Sequence, residues 1–494
     1  MERLRNRWIK FGVFYLLFKW LIRLASFVFV PKQQRYPSAA LGWLLLIVLF
    51  PTPGLILYLL IGTPKLSRRR QQQQHFADEV VQEAIERARD DEQQAQFIDP
   101  DMEPHHVSIA RLVEELGKLP VFAGNSIEFL PDHKGAIECI LQDIDQAQRF
   151  VHVEYFMFAD DAIGGRFIDT LIRAHQRGVE VRVLIDHLGN LKFIAPVLQR
   201  LRAAGIEAHE MLPVRIFDNE WSRIDLRNHR KIVVIDNLIG FTGSQNLIES
   251  HYHKPGNIQK GLYYEELVVR VTGPIVLQLY AVFAADWYSE TQKLLNRATI
   301  PELTSDWQAT GTVLAQVLPS GPGHETENNW LLFNALFHQA RQRIVIATPY
   351  FVPDLTLRTA ITTAAQRGIT VILIVSGIAD QFLVSRVQRS NYEDLLKAGV
   401  QIYLFEAPTL LHTKSLSIDD DMCVIGSSNM DMRSFLLDLE VSLVIYDRQV
   451  VAQLRAIEES YLSRSHKLTL EEWQQRSFAE KLVQTTAHLL SEFV

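Results

Sequence analysis

The chain has 494 residues, 22% of them charged, and a formal net charge of −7. Residues 1–70 hold 12 Lys or Arg against one acid, Glu2, so the remaining chain carries −18. A part that acidic is a poor partner for nucleic acid. The length suits two domains or one duplicated one, and the only two cysteines, Cys139 and Cys423, sit in apolar contexts that offer no disulfide scaffold.

Residues 1–70 read as a membrane anchor and not a cleaved leader, because the apolar stretches are long and no small-residue cleavage site follows. Residues 39–61 form a charge-free apolar run, long enough to cross a hydrocarbon core of ~30 Å. Pro51, Pro53 and Gly54 interrupt it, predicting a kink or a re-entrant turn, since prolines remove donors that lipid cannot replace. Residues 11–30 contain Lys19 and Arg23 one turn apart and read as a span with two snorkelling cations, the alternative being an interfacial amphipathic helix. Two transmembrane helices are therefore expected, at about 11–30 and 39–61. Arg3, Arg5, Arg7 and Lys10 precede the pair, Lys65 and Arg68–Arg70 follow it, and only Lys32 and Arg35 lie between. The positive-inside rule then places both ends in the cytoplasm.

Residues 71–118 form a polar connector. Gln71–Gln74 and then Glu79–Glu92 predict a charged helix with a thin stripe of Val80, Val81, Ala84 and Ile85, read as a spacer with a packing helix as the alternative. Beyond it, β-branched strands alternate with helical stretches, and the pattern is repeated. The run from Arg149 to Tyr155-Phe156 matches that from Arg343 to Tyr350-Phe351, Gln-Arg-Gly178 matches Gln-Arg-Gly368, and Ala204-Gly205 matches Ala398-Gly399. The expected architecture is α/β: one unit over 119–300 and a similar one over 301–494. The last stretch, 470–494, predicts an amphipathic helix lying on the core or on a lipid surface.

Each unit holds one copy of His-x-Lys-x-x-x-x-Asp, at His229, Lys231, Asp236 and at His412, Lys414, Asp419. A single match is weak. Here both copies are followed by Gly-Ser-x-Asn (Ser244, Asn246; Ser427, Asn429) and later by a Glu (Glu266; Glu440). On a strand, His and Lys share a face, as do Ser and Asn, whereas Asp236 and Asp419 fall out of phase and read as structural. An imidazole, an ammonium, a hydroxyl and an amide aimed at one point suit a phosphate: donors for its oxygens and a nitrogen nucleophile for its phosphorus. On this reading Lys231, Lys414, Ser244, Asn246, Ser427 and Asn429 bind phosphate, one imidazole is the nucleophile and the other the acid and base. Glu266 and Glu440 orient the imidazoles as a carboxylate does in a triad. No metal or cofactor is called for.

These residues resemble the phospholipase D superfamily. The chain is similar, within it, to the membrane-bound bacterial cardiolipin synthases, a likeness that includes Leu-Tyr-Leu-Leu-Ile-Gly62, Thr-Pro-Tyr-Phe-Val-Pro353 and Asn-Met-Asp-Met-Arg433-Ser434. The resemblance implies two phospholipase-D-like α/β units with the active site between them and the six motif residues as the catalytic set. It implies His229 as nucleophile and His412 as acid and base. It further implies a bacterial inner-membrane enzyme that makes cardiolipin and glycerol from two phosphatidylglycerol molecules. The alternatives are a phospholipase D or a phosphatidyltransferase using another alcohol, and then a membrane-tethered nuclease. The sequence defines no oligomeric state.

Four smaller features complete the reading. Tyr155, Phe156, Tyr350 and Phe351 are candidates for the wall of an acceptor channel, with core packing as the alternative. His251 and His253 lack a third metal ligand nearby. His105 and His106 fall in a Pro-rich stretch that predicts solvent exposure. Asp431 and Arg433 read either as a brace for the site or as substrate contacts.

Overall fold

The computed structural model describes residues 2–33, 37–62, 66–214, 223, 225–295 and 308–488. The N-terminus forms a helix over Glu2–Gln33, of which Lys10–Gln33 is long and apolar enough to cross a bilayer. The second apolar stretch differs from the expected single span. It breaks at Phe50 into helices Pro37–Leu49 and Pro51–Ile61, about 20 and 17 Å long at 1.5 Å per residue and so each short of a ~30 Å core. The two fold back on each other: the Trp43 and Tyr58 rings are 5.4 Å apart, and a Cβ on Gly54 would meet Ile47 Cα at 2.9 Å. A tight helical hairpin is thus what the Pro51-Thr-Pro-Gly54 sequence builds, with proline in the first turn of the new helix, where no N–H is missed. Arg23 donates from Nε to Val48 O at 3.0 Å, tying the long helix to this hairpin.

The connector packs where a spacer was expected. Helix Arg68–Asp90, capped by Ser67, buries Ala77, Ile85 and Ala88, and its Arg70 pairs with Glu290 on helix Ile275–Thr291, Nη2 to Oε2 at 2.9 Å. The apolar stripe is narrow, but small residues beside Ile85 let the two helices approach. Helix Pro104–Gly117 follows and inserts Ile109, Ala110 and Val113 into the core of the second unit. His106, expected in solvent, is buried by that insertion.

The rest is one long mixed sheet of two equivalent halves. In the first half the spatial order is Phe122–Leu130, Val268–Thr272, Ile239–Gly243, Lys231–Ile235, Phe150–Tyr155, Glu180–Asp186, Glu207–Met211. The second half repeats it as Val313–Ser320, Asp438–Tyr446, Met422–Gly426, Ser415–Ile418, Arg343–Ala347, Thr370–Ser376, Gln401–Phe405, with Ser465–Leu468 added at the edge. Phe122–Leu130 and Val313–Ser320 pair antiparallel at the middle and fuse the halves. Helices cover both faces, so the strands read as continuous apolar runs.

Each motif strand is the first arm of a tight hairpin. Asp236 and Asn237 take left-handed φ of 56° and 59° at one turn and Asp419 takes 50° at the other, a conformation that Asp and Asn tolerate better than other side chains do. The Asp236 carboxylate accepts the backbone N–H groups of Gln148, Arg149 and Phe150 at 2.7–2.8 Å. Asp419 accepts those of Arg341, Gln342 and Arg343 at 2.7–3.1 Å. Both aspartates therefore pin the start of the neighbouring strand, at the opposite end of the hairpin from the histidine.

Candidate active site

Two short parallel pairings bring the halves together at the histidines. Arg227–Asn228 runs beside Asp438–Leu439, and Tyr263–Glu265 beside Thr409–Leu411. The next backbone bond in each is the histidine's own: His229 N–H donates to Leu439 O and His412 N–H to Glu265 O, both at 2.8 Å. Each histidine is thus held one residue from the glutamate of the opposite unit. His229 Nδ1 lies 3.0 and 3.1 Å from the Glu440 oxygens, and His412 Nδ1 lies 2.9 and 2.8 Å from those of Glu266. The carboxylates fix the proton on Nδ1 and leave the Nε2 lone pair for substrate.

The electrostatics follow from burial. Desolvation pushes His229 down to about 4 against the pull of Glu440, and lowers His412 likewise against Glu266. Both imidazoles are therefore neutral near pH 7 and able to attack or to accept a proton. Burial alone would raise Glu266, but His412, Lys414 and Ser244 outweigh it and hold the carboxyl at about 2; Glu440 is lowered through His229, Lys231 and Ser427. Desolvation brings Lys231 down to about 7 and Lys414 to about 8. Both imidazoles feel both lysines, so the two motifs converge on one site.

The remaining expected residues divide. Lys231 Nζ and Lys414 Nζ each donate to the carbonyl of their own histidine, the latter at 2.8 Å, which leaves further N–H bonds for a ligand. Ser244 Oγ donates to Glu266 at 2.6 Å and accepts Leu267 N–H at 2.9 Å; Ser427 Oγ donates to Glu440 and accepts Val441 N–H at 3.0 Å. These hydroxyls hold the glutamates. Asn246 accepts Met157 N–H and donates to the Tyr252 hydroxyl, both at 3.0 Å, whereas Asn429 Oδ1 is buried without a hydrogen-bond partner. Asp431 caps helix Met432–Leu436, and Arg433 Nε reaches Asp438 at 3.2 Å, so that pair is a brace.

The aromatic pairs also divide. Tyr155 and Phe351 lie in the core, as the packing alternative has it. Phe156 stands edge-on to His229 at 4.9 Å, with Lys231 Nζ 5.5 Å from its ring centre, and Tyr350 donates to Asp380 at 2.7 Å. Several residues went unseen in the sequence. Tyr252 donates to Glu266 at 2.5 Å and packs edge-on to His412. Asp380 collects Tyr264, Tyr350 and Lys254 at 2.6–2.9 Å. Asn228, beside His229, donates to Glu154 at 2.6 Å and, through its backbone N–H, to Asp186 at 2.9 Å. None lies in the motif spacing. Nor do His251 and His253 lack a third acidic neighbour, since Glu249 comes within 2.6 Å of His251 Nε2.

Two halves of one sheet, with paired His–Lys motifs and glutamates exchanged between halves, define the class as a duplicated phospholipase-D-like enzyme. The chain belongs to the cardiolipin synthase family of that class, whose PLD-like domain matches residues 140–287 and 333–461. It is 33% identical over 491 residues to cardiolipin synthase A of Proteus mirabilis, covering 98% of each chain. It is 32% identical over 461 residues to a cardiolipin synthase of Alkalihalophilus pseudofirmus, covering 93% of this chain and 90% of that one. The fold also superposes on phosphatidylserine synthase of Haemophilus influenzae with a TM-score of 0.58 at 18% identity, over 78% of this chain and 99% of that one.

Proposed function

We propose that the protein transfers a phosphatidyl group from one phosphatidylglycerol to the terminal hydroxyl of a second, giving cardiolipin and glycerol. The observation that carries this reading is the crossed pair of dyads: two neutral imidazoles, each with Nδ1 on a buried glutamate of the other unit, share one site with two lysines. His229 Nε2 attacks phosphorus while His412, which takes up a proton on Nε2 as the anionic phosphodiester enters the site, gives that proton to the departing glycerol oxygen. The P–N bond formed replaces the P–O bond broken. His412, now neutral, takes the proton of the incoming hydroxyl, whose oxygen displaces His229. Lys231, Lys414 and Asn429 hold the phosphoryl oxygens, and Ser244 and Ser427 act by holding the glutamates. The exchange trades one phosphodiester for another and needs no nucleotide or metal.

The assignment of His229 as nucleophile is supported by unequal carboxylates. Glu266 receives the Ser244 and Tyr252 hydroxyls besides His412, whereas Glu440 receives Ser427 besides His229 among the described residues. A carboxylate with fewer competing donors stabilises the positive charge that grows on an attacking imidazole more strongly. Lipid recognition is supported by exposed Phe382 and Leu383 directly after Asp380 and Gln381, the latter of which reaches the Tyr350 hydroxyl. Phe478 and Leu482 are likewise exposed on the C-terminal helix Phe478–His488, which packs against helix Phe382–Ser390, in keeping with the interfacial reading of the C-terminus.

The N-terminal segment anchors the catalytic units at the bacterial inner membrane, on the cytoplasmic side where the positive-inside rule places the basic cluster ending at Arg70. Cysteine labelling after residue 70 tests that side, and labelling near Lys10 tells two crossings from one crossing with a re-entrant hairpin. For the chemistry, purified protein in detergent is given labelled phosphatidylglycerol with and without serine, ethanolamine or other alcohols. Cardiolipin and glycerol in equal amounts are expected by mass spectrometry. Phosphatidic acid alone would make the protein a phospholipase D, and a dominant product with another alcohol would change the acceptor.

A further inference from the structure

We propose that His105, His106 and Asp421 form a zinc site that fastens the connector to the second unit, far from the catalytic centre. His105 and His106 lie in the first turn of helix Pro104–Gly117, and Asp421 in the turn between strands Ser415–Ile418 and Met422–Gly426. His105 Nε2 is 2.8 Å from Asp421 Oδ2 and His106 Nε2 is 3.5 Å from Oδ1. One ligand atom from each of the three residues lies within 4.8 Å of the others. Four ligands at zinc–nitrogen and zinc–oxygen distances of about 2.0–2.1 Å stand roughly 3.3 Å apart on a tetrahedron. Small side-chain shifts bring this trio to that spacing, leaving the fourth position for water.

A plain ion pair between His105 and Asp421 leaves one fact unexplained. His106 is 95% buried, and its Nε2, aimed at the same carboxylate, makes no hydrogen bond. A buried polar atom in that state costs free energy unless something fills the gap. A cation between the three does so, with both imidazoles ligating in their neutral form. Glu103 Oε2, 3.5 Å from His105 Nδ1, stands where a carboxylate orients a ligating imidazole from behind. Two nitrogens and one carboxylate oxygen select a borderline divalent ion, zinc above magnesium or calcium.

The second histidine cluster makes an internal control. Glu249, His251 and His253 are also close together, but all are half-exposed, and each Nε2 already has a carboxylate, Glu249 at 2.6 Å and Asp161 at 2.8 Å. No orphaned atom asks for an ion there. At the first cluster, by contrast, the ion would bridge two segments distant in sequence. The turn it grips is also the one where Asp419 pins residues 341–343. From His412 to Asp421 the strand advances by about 20–30 Å, so the site acts on assembly and not on phosphorus.

The test uses the full-length protein in detergent without a histidine tag, stripped by a chelator and titrated with Co²⁺ and then Zn²⁺. One Co²⁺ per chain with the strong visible absorption of a tetrahedral ion is expected, displaced by Zn²⁺, and zinc should raise the melting temperature. His106→Gln and Asp421→Asn should each weaken zinc by at least about 10- to 100-fold, the range that outer-shell partners alone already span, and abolish the thermal shift. Glu249→Gln and His251→Gln should bind as wild type does. No stoichiometric zinc on the stripped wild type overturns the proposal, as does wild-type affinity in the His106 and Asp421 variants. So does a loss confined to the Glu249 and His251 variants. Should a variant fail to fold, X-ray absorption of the zinc-loaded His251→Gln protein decides, since the control cluster then keeps one imidazole: two imidazoles in the shell support the site, and one or none refutes it.

Discussion

His229 and His412 occupy the same backbone setting, each following a two- or three-residue strand that pairs with the opposite unit, yet their surroundings differ. Behind His229 stands charge: Arg230 is fully buried, pairs with Asp286 and donates from Nε to Glu440 O at 3.0 Å, while Asn228 is held by Glu154 and Asp186. Next to His412 stand neutral and aromatic groups: Thr413 shares a hydrogen bond with Tyr461 at 2.9 Å, and Tyr252 and Tyr264 pack edge-on to the imidazole. Duplication supplied two copies of one motif, and divergence of the neighbours made them unequal. A symmetric pair could exchange roles. In an unequal pair, on the roles proposed above, the better charge stabiliser serves the nucleophile.

The largest effect that can break this comparison comes from the histidines. His229→Ala and His412→Ala should each reduce cardiolipin formation by at least about 10³-fold. With phosphatidylglycerol, the wild type should yield a phosphohistidine on His229, preserved by quenching at high pH and located by peptide mapping. His412→Ala should accumulate it when the donor has a good leaving group, since departure then needs no proton. An adduct mapped to His412 in the wild type would reverse the two roles.

The lysines come next. Burial lowers both, so their ammonium charge is lost as pH rises through about 7 for Lys231 and about 8 for Lys414. kcat/KM, which reports the free enzyme, should fall over that window, whereas kcat should hold to higher pH because bound phosphate keeps the lysines charged. Coincident alkaline limbs would mean that the lysines do not meet phosphate. On the acid side, activity should fail as His229 gains its proton near pH 4.

Tyr252→Phe sharpens the asymmetry with a smaller effect. It removes one hydroxyl from Glu266 and leaves Asn246 without its acceptor, a loss of about 1–2 kcal/mol, or roughly tenfold in kcat. The pH profile should shift with it, because Glu266 becomes a stronger partner for His412; an unshifted profile with lower stability would reduce Tyr252 to packing.

The smallest effect on rate is expected from the motif aspartates. Asp236→Asn and Asp419→Asn each weaken a cap on three backbone N–H groups and should lower stability by about 1–3 kcal/mol, read as an earlier urea midpoint. The rate per folded molecule should be unchanged in both, and a selective loss of rate in one would place that carboxylate in the chemistry.

The sequence by itself determined the duplication, the phosphate-directed chemistry and the out-of-phase place of Asp236 and Asp419, because strand periodicity and motif spacing are local properties. It also located the break at Pro51-Thr-Pro-Gly54, since proline chemistry is local too. Only the tertiary structure decided that this break is a hairpin, that the connector packs by Ile85 and Ala88, and that His106 is buried. It alone showed that each glutamate serves the other unit's histidine and that the serines hold glutamates. Tyr252, Asp380 and Asn228 were illegible for the same reason: their partners lie on other strands and loops. Which group desolvates or neutralises another depends on distances that chain folding sets, and no spacing along one strand encodes them.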